Sequence, residues 1–172
     1  PEMFRTFYKP HLASLAAQSL LPSEVVVADD GSGAGTREAV EGARESLRRS
    51  FPVLHVWQPH EGFRKGRIIN ESVRNASGDY LVFIDGDCMA HRHFLRTHAR
   101  RSAGGAILGG KRVLLGELLT RRLLEDGRVL NRATPSLLWD NLMHRSRKLE
   151  EAFRIGNPLL RRLLHRDRIG VY

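Results

Sequence analysis

The spacing of apolar residues shifts repeatedly along the first half of the chain. Leu12, Leu15, Ala16, Ser19 and Leu20 share one helical face, which predicts a helix ending before Pro22. The run from Glu24 to Ala28 then closes on Asp29-Asp30-Gly31, the pattern of a buried strand entering a turn. Thr36 to Arg49 returns to helical spacing with Val40, Ala43 and Leu47 inward, and Pro52 to Trp57 predicts a second strand. After the loop QPHEGFRKG, Ile68, Ile69, Val73 and Ala76 mark a helix that stops at Asn75-Ala76-Ser77-Gly78-Asp79. Tyr80 to Ile84 predicts a third strand, in the middle of the sheet. Helices alternating with strands predict an α/β fold with a mostly parallel sheet flanked by helices. A helix around His91 to Ser102 follows, then AILGGKRVLL as a further strand, then a Leu/Arg-rich helical remainder. The change of style near Leu115 divides residues 1–115 from a helical segment, 116–172.

Two predicted strands end in acidic turns: Asp29-Asp30-Gly31-Ser32 and Asp85-Gly86-Asp87. In an open parallel sheet, ligands bind outside the carboxyl ends of the strands, so both clusters fall where a site is expected. Aspartate and glycine are also good turn residues, which explains either cluster alone better than it explains both together. Neighbouring carboxylates repel, and burying them is expensive unless they are paired or bound to a cation. Mn²⁺ or Mg²⁺ takes oxygen ligands from one or two carboxylates plus substrate phosphate oxygens, which makes Asp85 and Asp87 candidate metal ligands. Gly86 removes a side chain from that approach. Between the two turns, HEGFRKGRIIN brings Arg64, Lys65 and Arg67 to the start of a helix. Such a helix start can cradle phosphate; a solvated basic turn is the plainer alternative.

Composition narrows the partners. The 172 residues are 41% hydrophobic and 27% charged, enough for one domain with a proper core. The formal charge of +9 suits an anionic partner, whether nucleic acid, nucleotide phosphates or an acidic membrane surface, although an arginine excess also arises from genomic base composition. No apolar run approaches the roughly 20 residues of a membrane span. Arg5, Lys9 and Pro10 interrupt the N-terminal segment, unlike a signal peptide. Cys88 is the single cysteine, so no intrachain disulfide forms and a reducing, cytoplasmic compartment is expected. The chain starts at Pro1-Glu2 without a leading strand and stops at RDRIGVY, so a fragment is expected.

LASLAAQSLLPSEVVVADDGS followed by HEGFRKGRIINESVRNASGDYLVFIDGDC closely resembles the nucleotide-binding half of glycosyltransferase family 2, the inverting enzymes of GT-A fold. The resemblance covers roughly residues 1–115 and rests on the ordered set of motifs. It implies a GT-A-like, Rossmann-type sheet and transfer of a sugar from a nucleotide-diphospho-sugar, with UDP the first guess, to a hydroxyl of a glycan or lipid-linked acceptor. Surface polysaccharide or lipopolysaccharide synthesis is the implied setting. Asp29 and Asp30, with Ser32 nearby, are implied to contact base and ribose. Gly62, Phe63, Arg64 and Asn70 are implied to line the nucleotide pocket. Asp85 and Asp87 are implied to contact ribose and the Mn²⁺ or Mg²⁺ ion. A phosphate role for Lys65 and Arg67 is inferred from charge alone. The family's first strand, which helps to form the nucleotide pocket, is absent, so an added strand or a homodimer is expected. The general base is expected outside the chain, because Glu125-Asp126 comes too early and reads as a helix end.

Other residues take plainer readings. His91 and His93 read as surface residues opening a helix, Cys88 as a small buried residue, and Trp57 and Trp139 as packing residues. LLRRLLHR can lie on an anionic membrane, but reads better as a helix packing on other structure. A Mg²⁺-binding receiver domain also sets an acidic pair and an aspartate after parallel strands. The spacing from Asp30 to Asp85 is long for one, and Asp87 and the GFRKG loop have no place in it. Zinc-ligand spacing, a helix-turn-helix signal and an aromatic-basic RNA motif are lacking, so no specific nucleic acid is expected.

Overall fold

The computed structural model describes residues 2–102, 107–110 and 112–126. Two compact units divide the chain: Pro1–Gly109 with Thr120–Arg132, and Gly110–Leu119 with Ala133–Tyr172. Most of the second unit, with Trp139 and LLRRLLHR, lies outside the described residues.

The first unit runs α1 (Glu2–Ala16), β1 (Val25–Asp29), α2 (Ala34–Leu47), β2 (Val53–Trp57), α3 (Lys65–Asn75) and α4 (Phe94–Arg101). A further helix, α5 (Glu117–Asp126), crosses the division between the units. It carries Glu125-Asp126 within the helix, at the edge of the described residues. The architecture is mixed α/β: a parallel sheet flanked by helices.

β1 and β2 pair in parallel, from Val25 opposite Val53 to Asp29 opposite Trp57. α2 supplies the crossover that a parallel pair requires. Residues alternate faces along a strand. Val25, Val27 and Val53 therefore share the face where Tyr8, Leu12 and Leu15 of α1, Val40 of α2, Phe51 and Ala90 form the core. Val40 is 1% exposed, and burying such a side chain contributes about 1.5–3 kcal/mol. α3 packs against both strands and buries Ile68.

α1 ends at Ala16, earlier than its apolar spacing predicts. Gln18 is the reason: its side-chain amide donates to the Ser14 carbonyl at 3.0 Å. It thereby satisfies an acceptor that a further helical turn would have used.

The expected third strand is corrected by the structure. Tyr80 to Ile84 carry no strand, and the sheet among the described residues has the order β1-β2. Ile84 packs on the core, but Phe83 is 65% exposed. An apolar run reports burial, whereas a strand exists only through a hydrogen-bonded neighbour about 4.8 Å away. The described part of AILGGKRVLL likewise forms no strand beyond a single bridge residue, Leu114.

Candidate functional site

β1 delivers Asp29 to its carboxyl end, where the side chain is nearly fully buried. Its Oδ1 accepts the Ser32 N–H at 2.8 Å and its Oδ2 accepts the ring N–H of His55 at 2.9 Å. Such a carboxylate shapes the turn that follows. Gly31 has φ +86°, and a Cβ there would meet the Cβ and backbone nitrogen of His60 at 2.4 Å. Only glycine combines that conformation with that approach. The His60 ring N–H donates to the Asp30 carbonyl at 3.2 Å, which closes the contact between the two loops.

Asp30 reaches the other way. Its Oδ1 accepts from the Gln58 amide at 2.5 Å and its Oδ2 from the Arg64 backbone N–H at 3.0 Å. These bonds, first Gln58 and then Arg64, hold its carboxyl below the usual carboxylate value. Arg64 is also the residue that caps α3, so Asp30 places negative charge at the positive end of that helix. The Arg64 guanidinium pairs with Glu61, while its Nε is buried without a hydrogen-bond partner. Gly62 has φ +82°, which sets the bend before Phe63, itself 89% exposed.

The next residue along the chain makes the second connection. Lys65 Nζ lies 2.9 Å from Asp85 Oδ1. Arg64 and Lys65, adjacent at the start of α3, are thus bonded to the two acidic turns, one each. The turn around Asp85-Gly86-Asp87 is closed by the Cys88 N–H donating to the Asp85 carbonyl at 3.0 Å. Ligand atoms of Asp85, Asp87 and Cys88 all lie within 4.8 Å of one another, and both carboxylates are exposed. Two exposed carboxylates are the donor type that fits a hard divalent ion. The Lys65 ammonium already pairs with Asp85 there.

The structure therefore brings together Asp29, Asp30, Ser32, Gly62, Arg64, Lys65, Asp85 and Asp87 around the start of α3. Asn70 is exposed on α3, about 140° around the helix from Lys65. Trp57 corrects the packing expectation. It is 43% exposed, donates its indole N–H to the Ser32 carbonyl at 3.1 Å and lies under the Arg37 guanidinium. His91 and His93 are exposed just before α4, with rings 5.5 Å apart. Cys88 is half-buried, its thiol donating to Asp87 Oδ1 at 3.4 Å.

Several residues that the sequence did not single out hold this site. Ser14 is fully buried; its hydroxyl donates to the His11 carbonyl at 2.6 Å and accepts the Ala90 N–H at 2.9 Å. His11 donates a ring N–H to the Cys88 carbonyl at 2.6 Å. Gln18 donates to the His91 carbonyl at 2.9 Å and accepts the Leu95 N–H at 3.1 Å. One face of α1, with Gln18 just past its end, thus clamps the segment that follows Asp87. Burial pushes the His11 imidazole below its ordinary value, against the raising influence of the Cys88 hydrogen bond and the Asp87 charge. The available signal was polar residues at positions 11, 14 and 18 inside an apolar helical stripe, which must find partners.

An α/β chain with acidic turns gathered at a basic helix start has the form of a site for an anionic ligand and a cation. Comparison with known proteins identifies the family. The sequence profile of glycosyl transferase family 2 matches residues 9–162, and the chain belongs to that family. It is similar to the uncharacterized glycosyltransferase YfnE of Bacillus subtilis, 36% identical over 78 residues, which cover 45% of this chain and 18% of that protein. It is also similar to the validoxylamine A glucosyltransferase of Streptomyces hygroscopicus subsp. limoneus, 34% identical over 97 residues, which cover 55% of this chain and 20% of that protein. The chain thus spans about a fifth of the length of the curated relatives it matches. No solved structure gives a significant match.

Proposed function

We propose that this chain is the donor-binding part of a glycosyltransferase that moves a sugar from a nucleotide diphosphate to an acceptor hydroxyl. The observation that carries the reading is the pair of bonds from adjacent residues, Arg64 to Asp30 and Lys65 to Asp85. They converge both acidic turns on one helix start. In this reading Asp29 fixes the first turn from below, and Asp30, Ser32 and the Gly62–Arg64 loop flank the nucleoside. The start of α3 faces the diphosphate, where helix polarity and basic side chains favour an anion. Asp85 and Asp87 would hold Mn²⁺ or Mg²⁺, which would supply charge neutralisation on the departing diphosphate. The acceptor oxygen forms a bond to the anomeric carbon as the bond to the diphosphate oxygen breaks; the electron pair leaves with the nucleoside diphosphate, with inversion. The hydroxyl proton passes to a base outside the described residues.

UDP-glucose is the donor to test first, since the nucleotide expectation is UDP and two matched relatives bear the name glucosyltransferase. A glycan or lipid-linked acceptor in surface polysaccharide or lipopolysaccharide synthesis, in the cytoplasm at the membrane, completes the proposal. Among the described residues, no helix is long and apolar enough to cross a membrane. Family membership favours sugar transfer over the receiver-like and nucleic-acid readings. The test is calorimetric titration with UDP in Mn²⁺ and again in EDTA, for the native chain and Asp87→Ala. Metal-dependent binding that Asp87→Ala abolishes is expected. Failure of UDP, GDP, CDP and TDP alike to bind would overturn the reading.

A further inference from the structure

The Lys65–Asp85 contact joins residues 20 positions apart, with side chains 55% and 51% exposed. An ion pair so exposed contributes little to stability, so its consequence lies in what it does to Asp85. A divalent ion shared by Asp85 and Asp87 uses the same carboxylate that the Lys65 ammonium holds through Oδ1. It must also approach a fixed positive charge a few ångströms away. Lys65 is the first residue of α3, and the Asp30 bond to Arg64 anchors the backbone directly before it. The ammonium is therefore presented to the acidic turn from a fixed base on a flexible stem.

Resting on the reading of Asp85 and Asp87 as metal ligands, we propose that Lys65 is a tethered cation that competes with the divalent ion for Asp85. It thereby sets the concentration at which the ion binds. Two unit charges about 4 Å apart interact appreciably even in water, and a divalent ion doubles the effect, less screening by salt. Removing the ammonium tightens metal binding by about three- to tenfold.

The test is titration with MnCl₂ alone at low ionic strength, read by electron paramagnetic resonance of free Mn²⁺. The proteins are the native chain, Lys65→Met, Lys65→Arg, Asp87→Ala and Arg74→Met. Arg74 lies at the far end of α3 in an exposed pair with Glu71, so Arg74→Met removes one positive charge away from the turn. Lys65→Met is expected to bind Mn²⁺ about three- to tenfold more tightly than the native chain, and the difference narrows as salt is added. Lys65→Arg and Arg74→Met are expected to stay within about twofold of native. A native chain that binds Mn²⁺, with Asp87→Ala abolishing it and Lys65→Met no tighter, overturns the competition and leaves the metal reading standing. An equal gain in Arg74→Met also overturns it, because net charge then explains the effect. Mn²⁺ bound by neither the native chain nor Lys65→Met overturns both.

Discussion

Replacing Gly31 with alanine tests how the first acidic turn is held against the basic loop. Two costs arise, and a second glycine separates them. Gly31 has φ +86° and Gly62 has φ +82°, so alanine at either position meets the same backbone penalty, about 1–2 kcal/mol. At Gly62 a new Cβ meets nothing within 4 Å. At Gly31 it lies 2.4 Å from the Cβ and the backbone nitrogen of His60. Backbone cannot swing aside as a side-chain tip can, and the overlap adds about 1–3 kcal/mol. Gly62→Ala is therefore expected to lose about 1–2 kcal/mol and Gly31→Ala about 2–5. In a chain of this size each kcal/mol shifts Tm by about 2–4 °C. Urea denaturation gives both values, provided the slope with denaturant is unchanged. Gly31→Ala should also weaken UDP binding, because moving the turn from His60 strains the Asp30–Arg64 bond. Equal losses for the two variants would refute the close approach of Gly31 to His60.

Ser14→Ala is expected to cost about 1–3 kcal/mol in urea denaturation, because it strands the Ala90 N–H and faster amide exchange at Ala90 should accompany it; a loss under about 0.5 kcal/mol would show that α1 does not clamp that segment. Stability should decline with acid in two stages. His11 is depressed by burial, so as pH falls through the ordinary imidazole value of about 6.5 the unfolded chain takes the proton first and stability drops from there. Asp30 and Glu24 are held low by hydrogen bonds, chiefly from Gln58 and from Ser77, so their contribution is present above the ordinary carboxylate range and is lost as pH falls through their lowered values. Thermal melts across pH check the order, and a Tm flat between about pH 7 and pH 5 would contradict the burial of His11.

Much of this architecture was legible because local pattern and tertiary role agreed. Val25–Asp29 and Val53–Trp57 read as strands, and Ala34–Leu47 as a helix, close to where they form. The first acidic turn was legible as the end of a strand; the second follows no strand, yet the structure brings both to Arg64 and Lys65. Tyr80 to Ile84 misled because its apolar content anticipates a buried strand while its pairing depends on a neighbour that local sequence does not specify. Gln58 and His60 were passed over as loop residues, yet they tie Asp30 in place from the end of β2. His11, Ser14 and Gln18 were hidden among leucines and alanines, and only the positions of Cys88, Ala90 and His91 in space explain them.

The central claim is that both acidic turns and the start of α3 form one nucleotide–metal site. Paramagnetic broadening of backbone amide signals by trace Mn²⁺, with UDP present, tests it most directly. The account predicts broadening centred on residues 85–88, extending to Arg64 and Lys65 and to Asp30, and removed by Asp87→Ala. Broadening centred on other acidic residues, such as the exposed Glu41 and Glu45 of α2, with residues 85–88 untouched, would contradict it.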